Sequence, residues 1–344
     1  MARVAAVVLG VLLPAVAWGQ AWEQQASGTA ERLRGVSAVS AAVAWASGAN
    51  GTVLRTADGG ATWTRRPVPG AEALDFRDIE AFDAQTAYVL SIGAGDRSRI
   101  YKTIDGGETW HLQFTNPDPN AFYDAFAFWD RENGIAVGDP VEGRFTVVRT
   151  ADGGATWARA DRAGMPPALP GDGAFAASGT ILTAFGSREA WFGSGGGARA
   201  RVYRSTDRGA TWEVSDTPVA AGTPSAGLFS IAFRDARHGV AVGGDYRKER
   251  DASDNIALTT DGGTSWTRPG ATRLRGFRSA VAFLPGSDAS LALAVGPAGS
   301  DISRDDGRTW SALGDEGFHA LSVAGDGAAW AVGEQGAIAR LRGR

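Results

Sequence analysis

The chain has 344 residues, 48 of them Gly and 12 Trp, with two Met and no Cys. Its 34 Lys and Arg against 38 Asp and Glu leave a formal net charge of −4, with Arg and Asp mixed along the chain, so no basic face for nucleic acid is expected. The lack of Cys excludes disulfides and a lipid-modified cysteine anchor, and no helical periodicity is visible.

Residues 1–21 read as a secretory signal peptide: Arg3, an apolar run from Val4 to Ala17, then small residues, with cleavage expected between Ala17 and Ala21. The run is too short to remain as a membrane span. With the Ala/Gly/Arg-rich usage of a bacterial protein, this predicts a periplasmic or secreted product with no membrane anchor. Residues 22–344 are expected to form one domain.

Six copies of one motif, [ST]-x-D-x-G-x-[TS]-W, punctuate that domain: Thr56–Trp63, Thr103–Trp110, Thr150–Trp157, Ser205–Trp212, Thr259–Trp266 and Ser303–Trp310. Their aspartates (Asp58, Asp105, Asp152, Asp207, Asp261 and Asp305) recur every 44 to 55 residues, the period of a repeat architecture. In each box the Asp can accept from backbone N–H groups one to three residues on, and the Gly supplies positive φ. The β-branched Thr starts a strand, and the Trp (63, 110, 157, 212, 266 or 310) folds its ring under the turn. A calcium loop would need further oxygen ligands and a Glu near its twelfth position, which are missing. The boxes are therefore scaffold.

Working outward from each box completes the unit. A β-leaning run precedes it, such as Thr52–Arg55, Arg99–Lys102 and Arg201–Arg204. Upstream lies a Val-Gly strand, as in Gly134–Gly138, Gly239–Gly243 and Ala329–Gly333. Before that comes a small-apolar strand, as in Asp78–Phe82, Asp124–Phe128 and Ser279–Phe283. Four strands, A to D, with the box between C and D, make a propeller blade. Residues 318–341 supply A, B and C of a seventh blade, and Trp22–Gln25 supplies its missing D strand. The expectation is an all-β, seven-bladed β-propeller of four-stranded antiparallel blades, closed by the N-terminal strand with no unpaired edge.

This geometry puts the strand A starts and B–C loops on one face and the boxes on the other. The residues just before strand A are Gly35, Arg77, Tyr123, Thr180, Leu228, Arg278 and His319, with Asp78 and Asp124 following two of them. Such large polar groups at a crowded channel mouth point to binding. The B–C loops add Asp96, Arg97 and Arg99, then Asp139, Glu142 and Arg144, then Asp245, Tyr246, Arg247, Lys248, Glu249 and Arg250. Charged loops on a rigid ring suit binding, although a solvated rim of exchangeable ion pairs would look the same. The long segments 112–121 and 158–178 read as patternless loops flanking this face. His111 and His238 read as turn or strand-end residues, and no His stands with carboxylates at ligand spacing, so no metal or cofactor is expected.

These boxes, the A-B-C-box-D order and the Arg-Thr-x-Asp-Gly-Gly-x-Thr-Trp units are similar to the Asp-box, or bacterial neuraminidase repeat, propellers. Within them the chain resembles the photosystem II stability/assembly factor family over nearly all of residues 22–344. That resemblance implies a non-catalytic lumenal or periplasmic scaffold that binds membrane-protein assembly intermediates through an Arg-rich patch. The candidates for the patch are Arg77, Arg97, Arg144, Arg247 and Arg278, and the partner would be a protein of the cell envelope. The alternative is glycan chemistry on the same face, either lectin-like binding or hydrolysis. Sialidases carry such boxes, and a sialidase-like or other glycosidase site would draw on Asp78, Asp124 and Tyr123. The sialidase Phe/Tyr-Arg-Ile-Pro segment has only Phe76-Arg-Asp-Ile79 as a counterpart, without the Pro.

Overall fold

In the computed structural model, which describes residues 20–270, 273–285 and 290–343, seven antiparallel sheets stand around a central channel. The expected signal segment falls outside the described residues up to position 19. Blade 1 runs outward from the channel through Leu33–Ala38, Ala44–Gly48, Val53–Thr56 and Thr64–Arg65. The same order recurs in blades 2 (75–115), 3 (123–159), 4 (182–216) and 6 (280–314). Seven-bladed and all-β is what the repeat arithmetic predicted. Residues 112–115, placed in a loop by the sequence reading, belong with His111 to strand D of blade 2.

Blade 5 departs from the expectation of four strands. Its sheet has three, Ala226–Phe233, Gly239–Asp245 and Ile256–Thr259, and its fourth is reduced to one bridge between Leu258 and Thr267. Pro269 follows two residues later and has no N–H for a ladder, which stops strand D there.

The ring closes as the two chain ends foretell. Ala21–Gln25 pairs antiparallel with Ile338–Arg342, Trp22 opposite Leu341 and Gln25 opposite Ile338. Gln25 then stitches the seam, its Oε1 accepting from Trp63 Nε1 (3.0 Å) and Trp330 Nε1 (3.2 Å) while its Nε2 donates to Gly59 O (3.0 Å).

Each box is a closed local network. In the first, Thr56 Oγ1 accepts from Gly60 N–H (2.8 Å) and donates to Asp58 Oδ1 (2.8 Å), while Thr62 returns its N–H (2.9 Å) and hydroxyl (2.6 Å) to the same carboxylate. The other five boxes repeat these bonds within about 0.2 Å. The Asp thus reaches the residue four places on, further than the spacing suggested. Two successive positions take positive φ, and where the first is not Gly, Arg208 (+58°) and Asp306 (+62°) carry the strain. The Thr62, Thr109 and Thr156 hydroxyls, then their N–H groups, hold Asp58, Asp105 and Asp152 at about 2. Every box is also tied to the A–B turn of its own blade, as in Gly59 N to Ala42 O (2.8 Å) and Gly262 N to Arg237 O (2.9 Å). The boxes therefore lie on the face away from the strand A starts.

The segment 158–178 does more than flank the channel. Its end, with Gly179 and Thr180, crosses the lumen as a plug. Arg77 Nη1 of blade 2 donates to Ala176 O (2.8 Å), Ser178 Oγ to Ser279 O of blade 6 (2.8 Å), and Thr180 bonds Ser230 of blade 5 (2.7 Å). Gly179 (φ +77°) passes so close to Asp78 that a Cβ there would sit 2.1 Å from its Oδ1, so only glycine fits. Asp78, expected at the channel mouth, lies beneath this plug, 6 % exposed, and accepts from Phe126 N–H (2.8 Å). It shares a lower chamber of about 360 Å³ with Glu80. Burial pushes Asp78 up to about 7, and burial with the Asp78 charge pushes Glu80 up to about 8.

Two outcomes follow from these contacts. Trp212, 7 % exposed, packs on Phe192 at 4.9 Å and donates to Gly209 O (3.2 Å). Trp212→Ala should cost roughly 3–5 kcal/mol by urea unfolding, and an unchanged midpoint would contradict the anchoring role. The raised carboxyls stabilise the fold fully below the unfolded carboxyl range near about 4. That contribution is lost as pH rises through about 7 and about 8. Melting temperature should fall across that window, and Asp78→Asn with Glu80→Gln should flatten the profile.

Candidate functional site

Four strand A ladders slip by one residue at the same level. Leu33 pairs with Gly48 and Gly35 with Ser47, which leaves Arg34 unpaired between them. The same slip frees Arg77 between Phe76 and Asp78, Asp124 between Tyr123 and Ala125, and Phe229 between Leu228 and Ser230. A bulge of this kind re-aims one side chain, and all four freed residues line one cup of about 460 Å³ above the plug. Ser279 and His319 contribute from blades 6 and 7. In place of blade 4, the plug supplies a floor of Ala174 to Ala177.

The cup has two unlike walls. On one side Phe175 stacks on Phe229 (4.2 Å, 3° between planes), Phe277 meets Phe229 edge-on at 4.7 Å, and Tyr246 closes the rim at 6.1 Å from Phe229. On the other, Arg32, Arg34 and Arg77 converge. Asp75 Oδ2 serves two of them, taking Arg77 Nε at 2.9 Å and Arg32 Nη2 at 3.4 Å. Arg34 makes no hydrogen bond or ion pair among the described residues, and its Nε is enclosed without a partner. Burial, then the charges of Arg77 and Arg32, hold its guanidinium down at about 9. His319, whose Nε2 meets Glu334 Oε1 at 2.7 Å, is lowered to about 4 by burial and by Arg34, so it is neutral near pH 7.

Two acids sit between the walls. Asp139 Oδ1 accepts from Ala174 N–H (2.9 Å), and burial raises the group to about 6. Asp124 is 1 % exposed, and burial with the neighbouring Asp139 raises it well above the ordinary carboxyl range. Its Oδ2 is enclosed with no partner. An unsatisfied buried polar atom in a native fold calls for an explanation.

Of the residues expected at this face, Arg77, Asp124, Asp139, Tyr246, Glu249 and His319 are in the cup. Arg97 is exposed on the Gly95–Arg97 turn, and Arg247, its guanidinium 6.0 Å from the Tyr246 ring, is exposed on the rim beside it. Asp245 caps its own loop by accepting from Arg247 N–H (3.0 Å). Three others are elsewhere. Tyr123 is 2 % exposed and packs edge-on against Phe114 at 5.5 Å in the core between strands. Arg278 is fully buried and grips Asp301 through Nε (2.8 Å) and Nη2 (2.5 Å). Arg144 donates to Met165 O and pins the loop after blade 3. The glycosidase set is thereby dispersed, since the plug parts Asp78 from Asp124 and the Tyr123 hydroxyl does not line the cup.

Sequence reasoning missed Arg32, Arg34 and the three Phe rings of the aromatic wall, Phe175, Phe229 and Phe277. It took Gly35 and Leu228 as the mouth positions, one residue beyond Arg34 and one short of Phe229. The available signal was the buried apolar residue directly before each bulge: Leu33, Phe76, Tyr123 and Leu228.

No family model and no curated protein sequence matches this chain. Solved structures do. "YCF48 bound to D1 peptide" superimposes with a TM-score of 0.65 at 18% identity, covering 94% of this chain and 97% of that one. "YCF48 from Cyanidioschyzon merolae" gives 0.63 at 17%, covering 94% and 99%. A streptogramin B lyase gives 0.64 at 14%, covering 95% and 99%, so an enzyme shares the architecture. At these identities the likeness is one of fold, and function must be argued from the site. In fold, the resemblance to photosystem II assembly factor propellers drawn from the sequence is matched by YCF48 itself.

Proposed function

We propose that this chain is an exported, non-catalytic propeller scaffold that holds a protein partner of the cell envelope at the cup. The observation that carries this reading is the unpaired Arg34, set between two further arginines and facing an aromatic wall. Crowding three guanidiniums is costly, and the charges of Arg77 and Arg32 both act against that of Arg34. A ring that keeps them on the face opposite its structural turns has a use for them there. Support comes from a similar fold solved with a peptide bound, "YCF48 bound to D1 peptide". The cup is the size of a small-ligand pocket. It suits a segment of a partner that buries a few side chains, while Arg97, Arg247 and Lys248 on the rim steer by charge.

A photo-crosslinking aromatic in place of Tyr246, 42 % exposed at the rim, should yield adducts from native envelope extract. The same group in place of Ile104, 62 % exposed in the second box, should not. Arg34→Gln with Arg77→Gln should reduce the Tyr246 adducts at least about tenfold, as loss of charge-assisted bonds implies. Equal adducts from both positions, or adducts indifferent to the arginines, would refute this function.

A further inference from the structure

The chemistry of the cup narrows what it can take. Three guanidiniums converge where one carboxylate, Asp75, serves two of them, so the arginine wall carries an excess of positive charge. The Nε atoms of Arg32 and Arg34 are both enclosed and both lack a partner. Both residues are only part-buried and line the cup, so their terminal guanidinium nitrogens can meet an anion there, and a planar carboxylate matches a guanidinium fork better than a point charge does. Asp124, Asp139 and Glu249 line the same cup and disfavour a dianion, because each added negative charge meets theirs.

The opposite wall sets the rest of the ligand. Phe175, Phe229, Phe277 and Tyr246 present rings with few polar partners, a surface that gains from burying an apolar or aromatic group. A volume of about 460 Å³ holds a chain end or a small acid and excludes a folded surface.

Resting on the protein-binding function above, we propose that the cup reads a free α-carboxylate carried by a residue with an aromatic or branched apolar side chain. Arg34 and its two neighbours take the carboxylate, and the aromatic wall takes the side chain. Two sources share that chemistry, the C-terminus of a polypeptide and a free N-acyl amino acid.

The test is calorimetry on the full chain with N-acetyl-Gly-Gly-Phe as the free acid, the same peptide as its C-terminal amide, N-acetyl-phenylalanine and inorganic phosphate. The acid should bind roughly tenfold to hundredfold more tightly than the amide, the usual range for a charge-assisted contact. Arg34→Gln should bring the acid down to the amide's level without lowering the melting temperature, since it removes a crowded like charge. Phe229→Ala should weaken acid and amide alike. N-acetyl-phenylalanine matching the peptide acid would support the chemistry and assign the site to free acids, whereas weaker binding would assign it to chain ends. Acid and amide binding equally, or phosphate displacing the acid at equal concentration, would overturn the carboxylate assignment. The crosslinks at Tyr246 would stand in that case, and their absence would remove the protein-binding function instead.

Discussion

The turn between strands C and D is the constraint on which the ring depends, because it couples neighbouring blades as well as closing its own hairpin. In blades 1, 2 and 3 the basic residue just before the box reaches the carbonyl after the Asp of the next box, and Arg340 of blade 7, which has no box, does the same to the first. Arg55 Nη1 donates to Gly106 O (3.0 Å), Lys102 Nζ to Gly153 O (2.8 Å), Arg149 Nη1 to Arg208 O (3.3 Å) and Arg340 Nη1 to Gly59 O (3.2 Å). Three of these cations also lie over an aromatic ring, Arg55 at 5.6 Å from Trp45, Lys102 at 5.1 Å from Tyr88 and Arg340 at 4.9 Å from Trp330. Where blade 5 has Leu258 before its box and no cation, Arg234 pairs with Asp306 of the next box instead. Between blades 4 and 5, Trp191 Nε1 donates to Gly262 O (2.8 Å) while Arg204 turns to Glu213.

With rigidity held on the box face, the other face can carry strain. Four strands bulge there, and the Nε of Arg34 is enclosed without a hydrogen-bond partner. Unsatisfied groups persist only where surrounding structure over-determines them. The box face keeps satisfied carboxylates near 2, the cup face gathers raised Asp124 and Asp139 beside Arg34, and the raised Asp78 and Glu80 lie in the chamber beneath the plug.

The boxes and the blade count were legible because every bond that makes a box spans four residues or fewer, so spacing encodes it directly. The plug was not, because its partners lie far off in sequence: Arg77 and Ala176 are 99 residues apart, Ser178 and Ser279 are 101. The cup was half legible. Alternation predicts which face a strand residue takes only while the register holds, and one slipped residue reverses every side chain beyond it. Arg77 was found because its bulge begins where the alignment of repeats placed it. Arg34 and Phe229 were each missed by one position. Arg278, polar and at the expected level, belongs to an ion pair with Asp301 that no local pattern announces.

That the bulged strand A residues and the plug form one ligand-reading surface is most directly tested by hydrogen–deuterium exchange with and without saturating N-acetyl-Gly-Gly-Phe acid. The account predicts slowed exchange at residues 33–35, 76–78, 122–125 and 173–177, with the six box turns unchanged. Protection confined to the boxes or outer strands, with those four segments unaffected by bound acid, would contradict it.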